Sequence, residues 1–211
     1  RRKETFATSG NRMKVRFFGG IDTKDSDLDD ENLVKAAYAN SVTMGGEILA
    51  DGAKVPSFLV WAQRDKKGAP LQRVQIIKGT LSNTDGKPSE EIYDVACSDG
   101  AAVDPTTNRC PDNGARVDIE TCAFSKNVGS AELKAIWTDP DFNENNRSFY
   151  YVRVLENPTC RWSTWDAIRS GFKPREDLHS TIQERAWSSP IWYVPTGSNE
   201  MGPARSLIPE S

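Results

Sequence analysis

The chain has 211 residues, 37% of them apolar and 27% charged, a balance that suits a globular domain large enough to bury a sizeable core. Its formal net charge of −3 and sequence pI near 5.4 give no overall basic field for gathering phosphates, which argues against nucleic acid as a partner. No apolar run approaches the roughly 18 residues that a membrane-crossing helix needs.

Taken in chain order, the opening Arg1-Arg2 lacks the apolar run of a twin-arginine export signal and reads as the end of an upstream helix. Short stretches rich in branched and aromatic residues predict strands over 15–17, 58–62, 73–78, 92–96, 116–120, 132–138, 149–156 and 190–194, with Gly, Pro, Asn and Asp between them. The period of two is clearest at 132–137, where Leu133, Ala135 and Trp137 share a face and Glu132 and Lys134 point away. Residues 149–156 are almost continuously bulky, which predicts a central strand covered on both sides. A short amphipathic helix is expected over 29–39, with Leu33 and Ala37 on one face and a cap from Ser26 or Asp27. Further helical turns are expected over 164–169 and 178–185, and the Gly-, Pro- and Ser-containing tail 195–211 is expected to wrap loosely or fray. Irregular connections without alternating helices favour a mainly β fold, a two-sheet antiparallel sandwich of immunoglobulin-like or jelly-roll-like kind with one or two short helices.

Asp25, Asp27 and Asp29 match the first three positions of a calcium loop, but Asp30 stands where glycine is needed and Ala36 where the bidentate glutamate should be. Asp139, Asp141 and Asn143 lie between two strands and read as a turn. Neither stretch predicts a bound metal.

Cys97, Cys110, Cys122 and Cys160 show no C-x-x-C spacing, and His179 is the single histidine, so a zinc site has poor support. Disulfides fit better. Cys97 and Cys110 bracket a polar, turn-rich loop with little else to fix it, and closing such a loop is worth roughly 3 kcal/mol. Cys122 with Cys160 is then the residual pair, with a bond from Cys97 to Cys122 as the alternative. An even cysteine count of this kind suggests a protein exported to the periplasm or medium.

Catalytic signatures are missing: there is no G-x-S-x-G, H-E-x-x-H, phosphate-binding G-x-x-x-x-G-K-[ST], or G-x-G-x-x-G after a strand. His179, in a polar approach to the last strand, reads as a surface residue. Trp162 and Trp165 lie three apart beside Arg161 and Asp166, and Trp187 and Trp192 flank the final strand. An exposed pair would stack on sugar rings, whereas the neighbouring strand and Cys160 favour packing in a core or against another domain.

The segments 183–193 (Gln-Glu-Arg-Ala-Trp-Ser-Ser-Pro-Ile-Trp-Tyr) and 4–12 (Glu-Thr-Phe-Ala-Thr-Ser-Gly-Asn-Arg) resemble the closing part of a bacterial family labelled domain of unknown function 3604. Further likenesses, in order, are Val-Arg-Phe-Phe-Gly-Gly at 15–20, Met-Gly-Gly at 44–46, Phe-Leu-Val-Trp-Ala at 58–62, Ile-Ile-Lys-Gly at 76–79, Ile-Tyr-Asp-Val-Ala at 92–96, Asp-Pro-Asp-Phe at 139–142 and Phe-Tyr-Tyr-Val-Arg-Val-Leu-Glu at 149–156. In that family a region similar to PHP-type (polymerase and histidinol phosphatase) metal hydrolases comes first, carrying a histidine-rich motif for divalent metal. The resemblance implies that this chain is the C-terminal portion, with 1–12 leaving the catalytic region, 13–195 a β-sandwich and 196–211 a loose tail. It implies no cofactor of the chain's own and an upstream catalytic region as partner. Glu4, Thr8, Asn11 and Arg12 are then the residues expected to face the parent active site or domain interface. The expected function is a non-catalytic accessory domain of an exported PHP-like hydrolase; the alternative is a module binding carbohydrate or another surface polymer through Trp162 and Trp165.

Overall fold

A computed structural model describes residues 2–21, 28–50 and 54–195. Its elements are β1 Phe6–Thr8, β2 Lys14–Gly19, α1 Leu33–Asn40, β3 Val42–Thr43, β4 Glu47–Leu49, β5 Ser57–Gln63, β6 Leu71–Leu81, β7 Pro88–Cys97, β8 Glu132–Thr138, β9 Arg147–Glu156, β10 Thr159–Cys160, α2 Trp162–Arg169, β11 Thr181–Ile182, β12 Arg185–Ser188 and β13 Ile191–Val194. The fold is mainly β, as expected, and its two large sheets form a sandwich.

The larger sheet has seven strands centred on β9. β6 lines one edge of β9 over its whole length, with β7 beyond it. The other edge is shared end to end: β12 pairs with Arg153 to Leu155, and β13 pairs with Ser148 to Tyr150. Where these two short strands part, the Val152 amide donates to Ser188 Oγ at 2.9 Å, so the buried donor keeps a partner. β1 extends the sheet beyond β12, and β4 extends it beyond β13 in the parallel sense, against the all-antiparallel expectation. The second sheet runs β3-β2-β5-β8 and is antiparallel.

Alternating residues build the core. Val15 and Phe17 of β2, Phe58 and Val60 of β5, and Leu133 and Ala135 of β8 face Val74 and Ile76 of β6 and Tyr150, Val152 and Val154 of β9. The Phe58 and Tyr150 rings meet across the sheets at 4.4 Å. Full burial of each such large side chain contributes about 1.5–3 kcal/mol. The opposite face of the smaller sheet is covered by α1, whose Leu33 and Ala37 pack on Phe18 and Leu59.

Several expectations change in detail. Residues 149–156 do form the central strand, but its second face is covered only in part: Tyr150, Val152 and Val154 are buried on one face, while on the other Leu155 is buried and Phe149, Tyr151 and Arg153 are partly exposed. Residues 116–120 are not a strand, because among the described residues their only ladder contact is one bridge, Val117 to Phe124, within a long loop. The 178–185 helix is absent; β-branched Thr181 and Ile182 pair with β10, and Arg185 opens β12. α1 starts at Leu33, after Asn32 and without a side-chain cap. Asp25, Ser26, Asp27 and the tail 196–211 lie outside the described residues.

Both expected disulfides are present, Cys97 to Cys110 and Cys122 to Cys160, so the alternative pairing of Cys97 with Cys122 is excluded. The first closes the loop after β7; the second ties that same stretch to β10.

Candidate functional site

The outer face of the larger sheet carries a groove of about 810 Å³, within the size range of small-ligand sites. Register explains it. Trp192 of β13 lies opposite Phe149 of β9, and Phe149 lies opposite Gly79 of β6. A Cβ at position 79 would collide with the Phe149 ring, so glycine lets that ring lie down across the neighbouring strand. The Trp192 and Phe149 rings are 5.3 Å apart, and Phe149 is stacked with Tyr151 at 6.4 Å. Leu81 and Pro88 continue the apolar lining, and Glu47 and Glu90 give it acidic edges. Trp192 keeps 46% of its surface exposed, unusual for an indole and suited to stacking on a flat ligand face.

On the inner side of the same strands, a buried ionic group holds one end of the sandwich. Lys78 Nζ meets Asp139 Oδ2 at 2.8 Å and also donates to the Asp141 carbonyl oxygen. Tyr150 donates to Asp139, and Tyr93 to Asp141, at 2.7 and 2.8 Å. Burial and then the Asp139 charge push the Tyr150 hydroxyl far above its ordinary value; burial and the hydrogen bond to Asp141 do the same for Tyr93. These donors stay protonated, and the 139–143 turn is pinned as a structural latch.

The residues expected to face a parent active site divide between two places. Glu4 turns to α1, where the Tyr38 hydroxyl donates to it at 2.5 Å and Arg2 pairs with it at 3.1 Å. Thr8 donates to the Asn11 carbonyl oxygen at 2.7 Å, and the Arg12 amide donates to Asp65 Oδ2 at 2.9 Å. The turn so formed lies over Glu156 at the end of β9. Burial raises the Glu156 carboxyl to about 7; the adjacent Asn11 amide favours the charged form, while Asp65 and Glu184 oppose it. Ser9 donates to the Glu184 carboxylate, and the Glu184 carbonyl accepts from the Glu156 amide at 2.9 Å. A carboxyl that changes charge near neutrality is a recognised mark of functional sites. Nothing in the sequence distinguishes Glu156 from the other acids, because its burial depends on the fold.

Trp162 and Trp165 are presented differently. Trp162 is 70% exposed, whereas Trp165 is half-buried with the Arg169 guanidinium 4.8 Å from its ring centre. The groove indole is instead Trp192. Its outward direction was legible from the alternation of Ile191 to Val194, but its juxtaposition with Phe149 depends on cross-strand register that the sequence does not display. Among the described residues no group of three His, Cys, Asp or Glu converges to hold a metal ion, and no helix is long and apolar enough to cross a membrane. The divalent metal implied by the hydrolase resemblance therefore finds no ligand set in these residues.

No curated protein and no solved structure matches the chain. A family model described as "Protein of unknown function (DUF3604)" matches residues 1–195, which covers both sheets and both disulfides. The chain therefore belongs to the DUF3604 family.

Proposed function

We propose that this chain is the non-catalytic accessory domain of a larger, exported bacterial hydrolase of PHP-like type, and that it supports and orients the catalytic region. The observation that carries this reading is the way residues 5–12 are held. β1 pairs with β12, the Ser189 amide donates to the Thr5 carbonyl at 2.8 Å, and the Ser9 amide donates to the Arg185 carbonyl at 2.9 Å. The segment that resembles the exit from the catalytic region is thus an edge strand of the sandwich. An upstream region joined there is positioned by the sheet, where a flexible linker would leave it free. Two disulfides suit an oxidising compartment. Purified chain incubated with zinc, manganese and iron tests the non-catalytic half: it is expected to retain no stoichiometric metal and to show no phosphoesterase turnover. Bound metal with chelator-sensitive turnover would overturn it.

A second reading has its own support in the aromatic groove. Trp192 and Phe149 side by side on an open sheet face resemble the stacking platforms on which sugar rings settle. Titration with neutral oligosaccharides is expected to quench tryptophan fluorescence in the wild type and leave Trp192→Ala unchanged; equal responses in both would reject this reading.

A further inference from the structure

We propose that the cleft at the disulfide-bonded end of the larger sheet binds an oxyanion, a carboxylate, sulfate or phosphate group carried by a small ligand or by a sugar chain. The cleft measures about 690 Å³ and lies apart from the aromatic groove, with no lining residue in common. Four arginines from separate parts of the chain line it: Arg73, Arg116, Arg161 and Arg185. Among the described residues that line it, the one acid is Asp112, already paired with Arg116 at 3.3 Å. A positive cleft thus sits on a chain whose net charge is −3, a local field that the summed charge conceals.

The architecture brings these side chains together deliberately. Arg73 on β6 and Arg185 on β12 are both register partners of Leu155 on β9, so they flank one strand on one sheet face. Arg161 follows Cys160 directly and precedes α2, while Arg116 starts a short loop whose Ser125 returns to it by two backbone-anchored hydrogen bonds. That loop contains Cys122, and the Cys122 to Cys160 bond fixes it beside Arg161. One covalent staple therefore holds two of the four guanidinium groups in register.

The arginines also hold donors in reserve. The Nε atoms of Arg73 and Arg161 are shielded from solvent and have no hydrogen-bond partner. Arg73 reaches Asp94 only at 3.9 Å, and that carboxylate is already occupied by the Gln75 side-chain amide at 2.6 Å and the Cys110 backbone amide at 2.7 Å. Both guanidinium groups remain partly open to solvent beyond their shielded Nε atoms, and a planar or tetrahedral oxyanion accepts two parallel hydrogen bonds from such a fork. This inference stands whether or not the chain serves a catalytic partner.

Calorimetric titration in low-chloride buffer tests it, with inorganic sulfate, phosphate and citrate as free anions and with uronate and sulfated oligosaccharides as sugar-borne ones. Saturable binding that weakens with added salt is expected for at least one probe, and the probe that binds best identifies the oxyanion and its carrier. Arg161→Gln and the largely exposed Arg116→Gln are each expected to weaken it by about tenfold or more, whereas Arg175→Gln, outside the cleft, leaves it unchanged. Arg116 is 71% exposed, so its variant keeps the fold even if Arg161→Gln does not. Absence of saturable binding for every probe, or affinity unaltered in Arg116→Gln and in any folded Arg161→Gln, overturns the proposal.

Discussion

Glu156 is nearly inaccessible to solvent, yet its carboxyl is held near neutrality in pKa by burial. Because the folded value of about 7 exceeds the ordinary 4.5, the folded state binds the proton more tightly than the unfolded chain. The stabilisation is complete below the unfolded value and is lost as pH rises through the folded one. Thermal midpoints should therefore fall between pH 4.5 and 7 in the wild type. Glu156→Gln, which keeps the shape without the charge, should flatten that slope and gain on the order of 1–2 kcal/mol at pH 8. A pH profile identical in the two proteins would contradict the assignment. The opposite logic applies to Lys78, whose charge is matched by Asp139 in a buried setting. Lys78→Met strands that carboxylate and should cost about 3–5 kcal/mol in urea unfolding, with Asp139→Asn recovering part of the loss in the double variant. A loss within experimental error would mean that the latch is not structural.

Among the elements, β9 organises the molecule because β6, β12 and β13 all pair with it directly, and its outward residues furnish the aromatic groove. The groove depends on Gly79 as much as on Trp192. Gly79→Ala should push the Phe149 ring out of its place and reduce any ligand-induced change in tryptophan fluorescence, while the sandwich core remains intact; near-ultraviolet circular dichroism reads the ring displacement. The Cys122 to Cys160 bond closes a separation of 38 residues, so replacing both cysteines by alanine should cost about 3–4 kcal/mol in the chain-entropy account. It should also release the 116–125 loop, which hydrogen exchange would register there before it reached β9. Uniform protection in the reduced and oxidised proteins would show that the staple does not order this loop.

At the scale of the whole molecule, the sandwich and its central strand were legible because period-two patterning survives in 132–138 and a bulky run marks 149–156. The Cys97 to Cys110 bond was legible from the polar loop it encloses, and Cys122 to Cys160 only as the pair left over. Residues 116–120 misled because their alternation finds no partner strand, and 181–182 and 185–188 misled because strands this short carry almost no period. The candidate sites were the least legible. Phe149 and Trp192, or the four arginines of the cleft, meet only through register and a disulfide, and neither is visible in linear spacing. The central claim is that this domain positions a catalytic region through the edge strand at its start. The most direct measurement is activity of the proposed parent hydrolase truncated to remove residues 1–211, assayed with and without the purified chain added back. Restored turnover, abolished when residues 5–9 are deleted from the added chain, is the predicted result; a truncated enzyme as active as the intact one, with no response to the added chain, would contradict it.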